Sequence, residues 1–283
     1  MRFVNAIEKD WLVIAQPFEV KSWIQYADSI LSGLSLKCIN DSISYSFDRD
    51  ILPTIIQALN SYDRLECLKT LFDQIESELM RSIHILFDSE PDVLIILYLG
   101  LCNGAGWVTQ IGKQRVILLG AEKILELNWD TETKLKGLIF HELGHIWHEY
   151  KGLAWFHGES PKEKAILQLY REGIAMVCEQ ILCHDECYYH QGEEWAEWCK
   201  DNLFEIRKEY WKRIENEKSV QDFFGDWNDY KGYPDTGYYL GAQFIRYLMC
   251  KQSFDRIASL PYQELYEEFR IWSDLGDEPD CNQ

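Results

Sequence analysis

His141-Glu142-Leu143-Gly144-His145 is the stretch from which the rest of this chain is best interpreted. It lies in a segment whose apolar residues recur every three or four positions, which predicts a helix. Side chains four residues apart share one helix face, so the two imidazoles would point the same way, at the separation that one metal ion requires. This spacing indicates a zinc site with one coordination position left for water.

Glu142 follows the first histidine directly, so its carboxylate leans toward that water without binding the metal. This arrangement predicts a general base. The motif alone also arises by chance, but Asp130 or Thr131 can cap the helix, and an apolar stripe can bury it. Gly144 costs the helix about 1 kcal/mol relative to alanine, and it has no local purpose unless another element packs close.

The third zinc ligand is predicted on a later helix. Ser160-Pro161-Lys162-Glu163 forms a capping box with proline at the first helical position, so a helix begins here and is expected to run to about Cys183. Glu172 lies on it with apolar neighbours on both adjacent turns. A carboxylate is expensive to bury there unless it is paired or binds a metal, which makes Glu172 the best third ligand.

Other residues compete for roles at a metal site. His148 lies one turn beyond His145, where a straight helix carries it past the ion, and His157 lies in a loop that could fold back. Glu179 is two turns beyond Glu172 on the same predicted helix. Cys183-His184-Asp185-Glu186-Cys187 lacks the C-x2-C spacing of structural zinc sites, which favours cysteines at a helix end over a second zinc site.

The periodicity predicts three regions. Residues 1–90 are expected to form a helical N-terminal region, with a break near Ser61, and residues 251–283 a C-terminal helix and an acidic tail. Residues 91–250 begin with a buried strand at Asp92–Gly100 and two further strands before the metal helix. The fold class is therefore α+β and mainly helical. One strand must be a sheet edge, which is either an ordinary edge or a place where an extended peptide adds as a strand.

A tyrosine could complete the catalytic machinery. Gly237-Tyr238-Tyr239-Leu240-Gly241 opens another helix, and a neutral phenol at a helix start can donate a hydrogen bond to an oxyanion. Tyr238 is the first candidate and Tyr239 the second. The alternative is that both rings only pack.

The charge and composition of the chain limit the classes of partner that it is expected to bind. The chain has 28 Lys+Arg against 47 Asp+Glu, a formal charge of −19, which repels nucleic acid and anionic membranes. This charge reflects either a solvated acidic surface or a preference for basic substrates. Glu8, Lys9 and Asp10 interrupt any signal sequence, and the longest apolar run is too short to cross a bilayer. The 9 cysteines are an odd number, which favours reduced thiols over a disulfide framework, so a cytoplasmic protein is expected. The sequence does not indicate the oligomeric state.

From about Val93 to Leu248 the chain resembles the gluzincins, which are zinc peptidases such as thermolysin and the zinc aminopeptidases. The H-E-x-x-H run matches their active helix, and Arg171-Glu172-Gly173-Ile174-Ala175 is similar to the E-G-[ILF]-A context of their third ligand. The G-Y-x-x-G helix start resembles that of a bacterial group of predicted zinc peptidases. The resemblance implies a zincin-like fold, in which a small mixed sheet packs on the active helix, and it implies peptidase activity.

Related patterns fit less well. His148 stands where the metzincins have glycine, and the surroundings of Cys102 do not match the peptide deformylases. Repressor-cleaving peptidases also carry H-E-L-G-H, and they are a variant of the same class. The expected function is zinc-dependent hydrolysis of a peptide or protein substrate. The alternative is a zincin-like domain that binds a peptide or protein without cutting it.

Overall fold

The computed structural model describes residues 1–8, 17–152, 158–225 and 227–276 of the chain. Contacts between residues divide the chain into two units, Met1–Glu142 and Leu143–Gln283. The boundary falls inside the helix that carries the H-E-x-x-H run. The division expected at residues 90 and 250 stays a prediction.

A four-stranded mixed sheet lies in the first unit. Its strands are β1 (Arg2–Asn5), β2 (Leu94–Tyr98), β3 (Gly106–Ile111) and β4 (Gln114–Gly120). They are ordered β1-β2-β4-β3, with parallel pairing except for β3, which runs antiparallel to β4 at the edge. The apolar residues of β2 are buried along the whole strand, as a central strand covered on both faces requires.

The sequence predicted three of these strands and missed β1. This strand has only four residues, too few for an alternating pattern to stand out. Its partner is distant in the chain, since Arg2 is in register with Leu94 and Asn5 with Leu97. The region of residues 1–90, which was predicted to be helical, therefore also contributes one strand to the sheet.

Five α-helices of the described first unit precede the motif helix. They are α1 (Val20–Ile30), α2 (Leu34–Asp41), α3 (Leu52–Asn60), α4 (Tyr62–Ser82) and α5 (Ala121–Glu126). The break predicted near Ser61 is confirmed, because this residue separates α3 from α4. Its hydroxyl donates a hydrogen bond to the carbonyl of Gln57 at 2.9 Å. This bond gives a partner to one of the carbonyls in the last turn of α3.

The loop between β2 and β3 is fixed by a buried carboxylate. Glu122, on α5, is 1% exposed and accepts hydrogen bonds from the amides of Gly100 at 2.7 Å and Cys102 at 3.0 Å. The indole of Trp23 donates to the carbonyl of Leu99 at 2.8 Å. Burial raises the pKa of Glu122, and the two amide hydrogen bonds oppose that shift. The loop that leads to the edge strand β3 is therefore anchored to α5 and to Trp23.

We expect Glu122→Ala to lower the free energy of unfolding by about 3 kcal/mol, because it leaves two buried amides without an acceptor. Urea unfolding would show a lower midpoint at an unchanged slope. Glu267→Ala is the control, since the Glu267 side chain is 55% exposed and pairs with Arg270 on the surface; it should change stability by no more than about 0.5 kcal/mol. Equal effects of the two variants would contradict the structural role of Glu122.

The described part of the second unit consists of helices joined by loops. The motif helix α6 (Glu132–Lys151) runs into it from the first unit. The following helices are α7 (Pro161–Cys183), α8 (Glu193–Asp201), α9 (Leu203–Glu215), α10 (Thr236–Met249), α11 (Phe254–Ile257) and α12 (Tyr262–Asp274). The capping box predicted for α7 is present, with the Glu163 amide donating to Ser160 Oγ at 3.2 Å and the Ser160 amide to Glu163 Oε2 at 3.0 Å.

The fold is thus α+β, mainly helical with a small mixed sheet, as the sequence predicted. No helix in the described ranges has both the length and the apolar character needed to cross a bilayer. Among the described cysteines, seven are free thiols and Cys250 is disulfide-bonded, which differs from the expectation of reduced thiols.

Candidate metal centre

The helix α6 presents one buried and one half-buried histidine. The apolar stripe predicted for this helix is buried; it consists of Leu135, Leu138, Ile139, Leu143 and Ile146. His141 is 7% exposed, and His145, one turn later, has a side chain that is 22% exposed. Burial of the stripe fixes the rotation of the helix, and so it fixes the direction of both imidazoles.

Glu172 of α7 joins the two histidines. His141, His145 and Glu172 each offer one ligand atom, and these three atoms lie within 4.8 Å of one another. The His145 Nε2 and Glu172 Oε2 atoms are 3.5 Å apart. Two atoms bound tetrahedrally to zinc at about 2.0–2.1 Å are separated by about 3.3 Å. Two imidazoles and a carboxylate at this spacing fit a zinc ion.

Glu142 lies beside this group and outside it. It is 5% exposed and faces the first residue of β3, because a Cβ atom at Gly106 would lie 2.8 Å from Glu142 Oε1. The same Cβ would lie 2.9 Å from Leu138 Cδ1. The edge strand therefore passes close to the carboxylate at Gly106, and a larger residue there would require the Glu142 and Leu138 side chains to shift. This approach of Gly106 was not predicted from the sequence, although glycine inside a strand is a known sign of close backbone approach.

The competing ligands differ in their surroundings. His148 is 1% exposed and packs edge-on against Tyr170, with ring centroids 4.8 Å apart. Glu179 is fully buried, and its Oε1 atom lies 3.0 Å from His190 Nδ1. His157 lies outside the described residues. Among the residues that are described, neither His148 nor Glu179 belongs to a group of three ligand atoms.

We expect His148 to make the folded chain sensitive to acid. Burial, with a smaller effect of the nearby His145 and Arg171 charges, lowers the pKa of His148 to about 3. Between about pH 3 and pH 6.5 the unfolded chain binds a proton at this site and the folded chain does not, so stability falls as the pH falls. The contribution is roughly 1 kcal/mol between pH 6.5 and pH 5.5.

The measurement is the free energy of unfolding against pH for His148→Phe and for the wild type. The variant should have a flatter profile below pH 6.5, since phenylalanine fills the apolar site without titrating. His84→Gln changes an exposed histidine and should retain the wild-type slope. If His148→Phe also retains that slope, another group causes the acid sensitivity.

The two candidate tyrosines lie on the first turn of α10. The Tyr239 ring is buried between Tyr189 and Trp195, with centroid distances of 5.2 and 6.1 Å. Tyr238 is half-buried and contacts Phe224 edge-on at 5.7 Å. Ring packing thus explains the position of Tyr239. Tyr238 stays the predicted oxyanion donor.

The cysteines after α7 do not form a second metal site among the described residues, which contain one candidate group only. Cys183 is half-buried at the helix end, and Cys187 is exposed. Asp185 Oδ1 accepts from the Cys187 amide at 2.9 Å, which closes a tight turn. The expectation of cysteines at a helix end agrees with this arrangement.

Comparisons of the chain with protein-family models, with curated proteins and with solved structures find no match.

Proposed function

We propose that this protein is a zinc-dependent metallopeptidase of the gluzincin type, with a zincin-like fold. The observation that carries the proposal is the 3.5 Å separation of His145 Nε2 and Glu172 Oε2. His141 completes this group, and Glu142 follows His141 in the chain without belonging to the group. A structural zinc site is normally closed by four protein ligands, whereas three ligands leave a position for chemistry.

Glu142 is the general base of the proposed reaction. Zinc, when bound, polarises the scissile carbonyl and makes water more acidic. The Glu142 carboxylate takes a proton from the attacking water and delivers it to the leaving amine. The Glu142 carboxylate lies against Gly106, at the start of the edge strand β3.

The edge strand β3 gives the substrate a place to bind. Within the described ranges β3 pairs with β4 alone, and the other side of its backbone is where an extended peptide would add as a strand. Because β3 begins at Gly106, beside Glu142, a peptide paired with this strand would pass close to the base. The proposed substrate is therefore an extended peptide or protein segment.

Tyr238 is the proposed donor to the oxyanion of the tetrahedral intermediate. It precedes Gly241 by one helical turn, and Gly241 touches the backbone of α7 at Gly173, the residue after Glu172. This contact brings the start of α10 toward the third ligand. A neutral phenol there can donate a hydrogen bond to the oxyanion and keep its proton.

The proposal is tested by elemental analysis and a peptide-library digest of the purified full chain. We expect one zinc per chain, and cleavage that a chelator stops and added zinc restores. Absence of zinc would overturn the proposal. Zinc without cleavage, together with peptide binding, would instead identify a non-catalytic peptide-binding domain.

A further inference from the structure

Gly144 brings two ligand-bearing helices into backbone contact. A Cβ atom at this position would lie 2.8 Å from the Cβ of Cys178 and 2.9 Å from the Cα of Ala175. Side-chain atoms essentially never approach that closely, so no other residue fits without moving α6 from α7. Gly144 immediately precedes the ligand His145.

The helix α7 is also held from its opposite side. A Cβ atom at Gly173 would lie 2.4 Å from the carbonyl oxygen of Gly241, and one at Gly241 would lie 2.7 Å from the carbonyl oxygen of Leu169. Since each residue turns a helix by about 100°, this face is nearly opposite the one that meets Gly144. Glu172 lies between the two faces, directly before Gly173.

We propose that Gly144 is a positioning residue of the metal site, because its contact with α7 sets the distance between the His145 and Glu172 ligand atoms. The contact between Gly173 and Gly241 prevents α7 from moving away. The metal geometry is then present before the ion binds. This inference rests on the metal site of the proposed function, but it does not depend on peptide hydrolysis.

The test compares the zinc affinity of Gly144→Ala with that of the wild type. Alanine favours a helix more than glycine does, so a loss cannot be attributed to weaker helix formation. We expect the zinc dissociation constant to rise by about 10- to 100-fold, as when support around a ligand is lost. The visible absorption of the cobalt-substituted variant should also weaken, because displaced ligands depart from tetrahedral geometry.

Gly100→Ala is the matched control. Its Cβ would lie 2.6 Å from Glu122 Oε1, so alanine there also crowds a buried contact, but one that involves neither α6 nor α7. It should lower stability and leave the zinc affinity and the cobalt spectrum unchanged. Wild-type affinity and an unchanged cobalt spectrum in folded Gly144→Ala would overturn the inference.

Hydrogen exchange of the wild-type chain supplies a second measurement if Gly144→Ala does not fold. The amides around Gly144 and Gly173 should be equally protected with zinc and with a chelator. Loss of that protection on chelation would show that the ion, and not the glycine contact, sets the helix spacing. Zinc binding without any peptidase activity would refute the proposed function and leave this test intact.

Discussion

Glu142→Gln is expected to abolish most peptide hydrolysis while the chain keeps its zinc. Glutamine has nearly the shape of glutamate, but its amide cannot accept a proton from the attacking water. A positioned acid–base group contributes about 10²- to 10⁴-fold to a rate, so kcat should fall by at least about 100-fold. The change in KM should be small, since proton transfer is confined to the transition state. Steady-state kinetics and elemental analysis of one sample measure both effects.

The control for this variant is Glu132→Gln, on the first turn of the same helix. The Glu132 side chain is 60% exposed and pairs with Lys136 at 3.0 Å. An exposed pair of this kind contributes little, so activity and zinc content should both stay at wild-type levels. Activity retained by Glu142→Gln would place the general base elsewhere. Zinc lost by Glu142→Gln would make its carboxylate a ligand.

The elements that present the candidate ligands were predictable because their signals are local. The apolar period of α6 and the capping box of α7 depend on residues within a few positions of one another. The spacing of His141 and His145 on a helix follows directly from helix geometry. Glu172 could be singled out since a carboxylate among apolar neighbours needs a partner.

The remaining features depend on contacts between distant parts of the chain. The strand β1 is defined by pairing with β2 about ninety residues later, and its own four residues carry no pattern. The approach of Gly106 to Glu142 likewise joins a strand and a helix, whose separation no local period encodes. Gly144 was recognisable as costly for a helix, but its partners, Ala175 and Cys178, could be identified only from the packed structure.

Glu172→Ala is expected to weaken zinc binding severely. It removes the carboxylate whose Oε2 atom lies 3.5 Å from His145 Nε2, so only the two imidazoles of α6 remain. Loss of a residue that only supports a ligand lowers metal affinity by about 10- to 100-fold. Loss of the ligand itself should lower it by more than about 100-fold. Competition with a chelating dye measures the change, and the metal-free variant should keep its helical circular dichroism.

The decisive comparison is Glu179→Gln, two turns further along α7. Glu179 is fully buried with its Oε1 atom 3.0 Å from His190 Nδ1, so glutamine weakens a buried pair and should lower stability. It should leave zinc affinity unchanged, because Glu179 lies outside the group formed by His141, His145 and Glu172. If Glu179→Gln lost zinc and Glu172→Ala retained it, the third ligand would be Glu179. The approach of Glu172 to His145 would then be an ordinary ion pair, and the metal would require a different arrangement of α7.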